Sequence, residues 1–294
     1  MVLDFGVLLQ VLIWGLVLGN VYMLLATGLT LIFGVMKVIN FAHGELMMAG
    51  AFLTFLTAHV LGLNPYLGVI VSVVAVGLIG IGIERFGFRR IRGTAKINEI
   101  FLSIALILIL QNALARAFVP YFREYAQIRT PYATAVFDLG LVNLRYDFAI
   151  LLGLCSASMG GLYVLLFRTG FGRELRGASQ NRLGAMLMGI NVHRVDAASF
   201  GIGAGLAALA GSFFGIVNPF SPYSGTTPAI KAFAVIILGG LGSIRGAVVG
   251  GLAYGIVESF ATFFLGGSWR DAVAFILLIL VLLIRPEGIF KESA

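Results

Sequence analysis

What most constrains this chain is a succession of apolar stretches, each close to the length of a helix that crosses a bilayer, separated by short polar segments. A spanning helix takes roughly 20 consecutive apolar residues. Residues 5–36, 46–61, 65–86, 97–118, 148–167, 197–217, 247–265 and 272–284 read as spans or parts of spans on that measure. Apolar residues make up 60% of the 294 and charged residues only 11%, and no polar stretch is long enough to build a separate soluble core. The expected fold is all-α: a single polytopic transmembrane domain over residues 1–294, a bundle of about eight to nine spans with broken helices.

Charge gives the orientation. Arg85, Arg89, Arg90, Arg92 and Lys96 crowd one span end, and Arg168, Arg173, Arg176, Arg182 and Arg194 dominate a second polar segment. Positive charge near span ends marks the cytoplasmic side. Residues 120–147, with Arg123, Glu124, Arg129, Asp138, Arg145 and Asp147, are mixed in sign and are expected outside. The net charge of +7 then reports loops facing anionic lipid, with no nucleic-acid partner. Cys155 is the lone cysteine, so no intrachain disulfide forms.

Two interruptions stand out against this background. Between Val7 and Val60 the only charged or imidazole side chains are Lys37, His43, Glu45 and His59, and an ionisable group within a span is a functional hypothesis by default. The plainer alternative is a wet turn between helices, with Asn40 and Glu45 as caps. In a helix Asn40, His43 and Gly44 would share a face, with Glu45 turned away by roughly 100° from Gly44. Convergence of the three polar groups therefore predicts a break at Gly44, with Glu45 as an acceptor at a helix start. The second interruption is Gly239, Gly240, Gly242 and Ser243, after an apolar run at 229–238 too short to span alone. Irregular backbone at membrane depth persists only where protein or water covers it. Paired interruptions in the first and last parts of a chain point to a translocation path between structural halves. Its candidate residues are Asn40, His43, Glu45, Gly239, Gly240, Gly242 and Ser243. The run 5–36 exceeds one crossing and predicts a tilt, bend or break near Gly15, Gly19 and Asn20, where small residues also allow close helix approach.

Enzyme chemistry finds little support. The glycines at 201, 203 and 205 and those at 239–246 lack the strand-turn-helix setting and the Lys-Ser/Thr of a phosphate loop. His43 and Glu45 lack the second histidine of a helical zinc site, and Ser243 has no evident histidine partner. No catalytic residue, metal or cofactor is expected, so energy for pumping has to come from another chain or an ion gradient. Residues 168–194 read as a helix start at 173–178 followed by a short amphipathic stretch at 183–190. Leu183, Met186, Leu187 and Ile190 would be exposed on it, inside a basic rim, as a docking ridge; an ordinary connector is the alternative.

Several segments jointly resemble the shorter permease type of the branched-chain amino acid ABC importer family. They are GLTLIFGV at 28–35, INFAHGE at 39–45, LMGINV at 187–192, ILGGLGSI at 237–244 and RPEGIF at 285–290. The resemblance implies a pore-forming subunit in a bacterial inner membrane, working by alternating access. It also implies a second permease subunit, two cytoplasmic ATP-binding subunits and a periplasmic substrate-binding protein as partners. Leu183-Gly184-Ala185-xxx-Gly189 corresponds to the Glu-Ala-Ala-xxx-Gly coupling loop of such importers, departing from it at Leu183 and Gly184. The resemblance thus marks Arg176, Leu183, Gly184, Ala185, Leu187, Gly189 and Ile190 as the ATPase-coupling set. Relatives of this type serve leucine, isoleucine and valine but also urea, amides or aromatic acids, and the sequence does not choose among them. The competing reading is a stand-alone secondary transporter or channel with a His43/Glu45 proton relay.

Overall fold

Six of the described α-helices begin at a residue whose side chain caps the first turn. In the computed structural model, which describes residues 4–121, 124–138, 140–285 and 288–290, Asp4 accepts from Gly6 N and opens α1 (Phe5–Met36). Lys37 closes it in the left-handed region, at φ 57°, a conformation that costs a non-glycine residue about 1–2 kcal/mol. Of the tilt, bend or break expected near Gly15, Gly19 and Asn20, the break does not occur: α1 is one continuous helix. At about 1.5 Å per residue its 32 residues reach about 48 Å, beyond a hydrocarbon core of about 30 Å. The small residues serve packing instead: a Cβ on Gly15 would come to 2.8 Å from Ile256 Cα, and one on Gly19 to 3.0 Å from Leu252 Cα.

Helix α2 (His43–His59) follows. Asn64 then caps Tyr66 N, and Pro65, with no N–H to satisfy, begins α3 (Pro65–Ile83). This helix runs through a π-helical turn, Glu84–Phe88, into the short α4 (Arg89–Ile91). After α5 (Lys96–Phe118) the expected external segment forms a hairpin of β1 (Val136–Asp138) and β2 (Asn143–Arg145), with Phe137 opposite Leu144. Next come α6 (Tyr146–Arg168), α7 (Gly170–Gln180) and α8 (Arg182–Leu187). The chain ends with α9 (Val192–Val217), α10 (Thr226–Gly239), α11 (Ile244–Leu265) and α12 (Arg270–Ile284). Arg123, Pro286 and Glu287, which the sequence analysis singled out, lie outside the described residues.

Among the described residues seven helices are long and apolar enough to cross a membrane. The shorter α2 and α10 complete the expected set, and the all-α bundle with broken helices is what the chain forms. Helix α9 is its axis. Gly203 backs onto Gly28 of α1, Gly211 onto the Met47 carbonyl of α2 and Gly201 onto Gly77 of α3. Ser212 joins Thr54 and Ser72 at 2.8 and 3.0 Å in the same layer. One end of the bundle carries the hairpin, where Gln10 accepts from Asn143 N at 3.1 Å. The other carries the arginines of α4, α7 and α8, and α1 runs from the first end toward the second, where it meets α7.

Candidate functional site

The first interruption is re-entrant. Residues 37–42 are non-helical, and their burial alternates: Val38, Asn40 and Ala42 face inward while Lys37, Ile39 and Phe41 face out. Alternation is what an extended segment with one covered face produces. His43 Nε2 lies 3.2 Å from the carbonyl of Leu25, eleven residues before the end of α1, so α2 begins about 16 Å back inside the bundle. That climb accounts for the shortness of α2. The break falls before His43 and not at Gly44, because Asn40 Oδ1 accepts from Ala42 N at 3.1 Å and turns the chain into the helix there.

Helix α10 meets this start. A Cβ on Gly44 would collide with the Gly225 carbonyl and come to 2.7 Å from Ala229 Cβ, so the first turns of α2 and α10 lie in backbone contact. Glu45 sits at the junction. Its Oε1 accepts from Gln111 Nε2 of α5 at 2.9 Å and lies 3.0 Å from where a Gly225 Cβ would be. Two helix N-termini carry partial positive charge, and a carboxylate beside them is electrostatically favoured. The role expected for Glu45 as a cap is not what is seen: its hydrogen bond goes to α5. Asn40 Nδ2, His43 Nδ1 and Glu45 Oε2 have no hydrogen-bond partner among the described residues, and none joins His43 to Glu45.

The second interruption lies at the other end of α10, about 21 Å along its 14 residues. Gly240 and Gly242 take φ of 102° and 93°, open to glycine and rarely to other residues. A Cβ on Gly239 would collide with Gly246, and Ser243 Oγ accepts from Gly246 N at 3.1 Å to start α11. The tail closes the turn: Ile289 N and Phe290 N donate to the carbonyls of Leu238 and Gly239 at 2.9 and 3.1 Å. The structure therefore does not bring Gly239, Gly240, Gly242 and Ser243 together with Asn40, His43 and Glu45. Phe41 does reach α10, its ring 5.1 Å from that of Phe233.

At the basic end, Thr169 and Asn181 cap α7 and α8, and Gly189, at φ 80°, stops the chain after α8. Leu183, Leu187 and Met188 are 65%, 80% and 83% exposed, and Met186 is also exposed. Ile190, expected on the same ridge, instead packs against the core, and Ala185 is buried beneath the helix. Gly184 lies against the Asn181 side chain, and Arg176 turns toward α6, donating to the Leu166 carbonyl with its guanidinium over Phe167.

Sequence reasoning missed what anchors this unit. Asp196 of α9 is fully buried and accepts from Arg92, beyond α4, and from Arg182, the first residue of α8. Glu84 holds Arg89 in the same layer, 2.6 Å away. A second buried cluster joins α1, α10, α11 and α12: Glu258 accepts from Tyr22, Lys231 and Arg270, and Lys231 also reaches Asp271 at 2.9 Å. Except for Glu84 and Arg89, five residues apart, the partners lie 12 or more residues apart in sequence, so no local spacing announced the two clusters.

Comparison with known proteins agrees with this architecture. Residues 11–282 match the family model described as branched-chain amino acid transport system / permease component. The chain is 34% identical over 296 residues to the high-affinity branched-chain amino acid transport system permease protein BraD of Pseudomonas aeruginosa, covering 96% of this chain and 95% of that one. It is 32% identical over 302 residues to the corresponding LivH of Escherichia coli, covering 96% and 94%. Among solved structures, PsaBC from Streptococcus pneumoniae in complex with Fab superposes with a TM-score of 0.52 at 16% identity, over 97% of this chain and 94% of that one. At that identity the likeness is one of fold.

Proposed function

We propose, from the premise that this chain belongs to the branched-chain amino acid transport permease family, that it is the membrane-spanning subunit of a binding-protein-dependent ABC importer of branched-chain amino acids. A second permease subunit, two cytoplasmic ATP-binding subunits and a periplasmic binding protein complete the transporter, in a bacterial inner membrane. The observation that carries this reading is α8. It presents Leu183 and Leu187, with Met188 just after it, to solvent on a base locked by buried Asp196, which is how a rigid docking ridge for an energy-supplying partner would be built. Asn181, Gly184 and Gly189 shape the ridge.

In the transport cycle α8 relays the closure of the ATP-binding subunits through Asp196 to α9, against which α1, α2 and α3 pack. The path runs along the re-entrant segment. Ile39 and Phe41 give it an apolar surface suited to an aliphatic side chain, while Asn40, His43 and Glu45 hold that surface from behind. The Gly44–Gly225 contact and the turn at Gly239, Gly240, Gly242 and Ser243 are where α10 hinges between inward and outward states. A proton relay has less support, since His43 and Glu45 bond to different helices.

The test is ATP-driven uptake of labelled leucine by proteoliposomes holding this chain with its partner subunits and binding protein. Uptake is expected only with ATP and all components. Uptake by this chain alone down a proton gradient would overturn the reading.

A further inference from the structure

Outside the site just described, α3, α6 and α9 enclose an open groove of about 490 Å³, within the roughly 300–1,000 Å³ of sites that hold small molecules. Val74, Leu78 and Ile81 of α3 and Ala198, Ile202 and Leu209 of α9 line it, and Ser158 of α6 is the polar side chain on its wall. The lining positions recur every three to four residues, so each helix presents one continuous stripe. Followed toward the basic end, each stripe terminates in an arginine: Arg85 lies four residues beyond Ile81, and Arg194 four residues before Ala198. Both arginines are exposed and form no ion pair among the described residues. Their neighbours differ, because Arg89, Arg92 and Arg182 are committed to Glu84 and Asp196. The helix ends are held together at this point by Arg89, which donates to the His193 carbonyl at 3.1 Å.

An apolar trough at the depth of lipid tails, ending in two uncommitted cations at the depth of headgroups, has the charge and polarity profile of one ligand. We propose that this groove binds an anionic phospholipid, one acyl chain lying between α3 and α9 and the phosphate at Arg85 and Arg194. A helix of another subunit would bury the same apolar wall but would leave the two arginines unanswered. Bound lipid also explains how the glycine-lined face of α9, the axis of the bundle, is covered where α6 stands off from it.

The intact transporter, extracted from phosphatidylcholine bilayers with or without phosphatidylglycerol, is examined by native mass spectrometry. Phosphatidylglycerol should remain bound where phosphatidylcholine is stripped. Arg85→Gln with Arg194→Gln should weaken retention by about tenfold or more, and Val74→Trp, which fills the trough from an exposed position, should abolish it. Arg90→Gln, an exposed arginine off the stripe, should leave retention unchanged. Equal retention of the two lipids, or full retention by the double variant, overturns the proposal. So does disulfide capture of a partner subunit by Val74→Cys at high yield, which would assign the groove to a protein helix.

Discussion

Removing the bond between Glu45 and Gln111 tests whether the junction of α2 and α10 is held by that contact. The bond is 2.9 Å long and its acceptor is almost fully buried. A hydrogen bond to a charged group contributes about 1.5–3 kcal/mol, and a neutral one about 0.5–1.5. Glu45→Ala therefore removes about 2 kcal/mol together with a carboxylate beside the two helix starts, itself worth about 0.3–1 kcal/mol. Glu45→Gln keeps an acceptor for Gln111 and should lose only about 1 kcal/mol. Gln111→Ala strands a buried carboxylate at a cost of about 1–3 kcal/mol. In a double-mutant cycle read by equilibrium unfolding in mixed micelles, Glu45 and Gln111 should couple by about 1–2 kcal/mol. Uptake by assembled transporter should largely survive Glu45→Gln and fall sharply in Glu45→Ala. Additivity of the two alanine variants within about 0.5 kcal/mol would refute the contact. Complete loss of uptake in Glu45→Gln, with normal assembly, would refute the structural role and restore the titrating one.

Leu187→Glu puts a charge on an 80% exposed position without disturbing the core, so co-purification of the ATP-binding subunits should drop severalfold while the chain stays in the membrane; unchanged association would return α8 to a connector. It is a cleaner probe than a change at Gly189, whose φ of 80° strains any side chain placed there. Asp196→Asn leaves Arg92 and Arg182 without their buried anion, and with both arginines partly exposed it should cost about 1–3 kcal/mol, seen as a lower unfolding midpoint and weaker ATP coupling. Gly211→Val would drive its Cβ into the Met47 carbonyl and should cost about 3 kcal/mol or more, whereas Gly153→Ala, with open space around it, should be silent; equal expression of both refutes the packing. Cysteines at Arg90 and Arg173 should resist impermeant reagents applied to intact cells, and ready labelling of either reverses the topology.

The spans were legible because burial in lipid imposes a composition, whereas the starts set by the side-chain caps at Asp4, Asn64, Asn191 and Ser243 are seen in the structure. The re-entrant start of α2 was legible only as a polar anomaly. Its alternation of inward Asn40 with outward Ile39 and Phe41 leaves no trace in hydropathy, because both outward residues are apolar. Glu45 could be recognised as an acceptor, but its donor is 66 residues away. The pairing of Asp196 with Arg92 spans 104 residues, and positive charge that the sequence assigns to lipid and sidedness is partly consumed inside the fold. At Gly15 and Gly19 the sequence left two roles open: glycines can loosen a helix or admit a neighbour, and the presence of α11 decides for the second.

That pairing has a consequence for synthesis. Gly15 of α1 has its backbone contact with Gly255 and Ile256, made some 240 residues later. At about 5–20 residues per second, the first helix waits roughly 10–50 s in the membrane with its small-residue face uncovered. Through that interval the nascent chain depends on lipid, an insertase or a neighbouring subunit to shield the face, and a chain stalled before α11 would present an open helix-pairing surface to the membrane quality-control machinery.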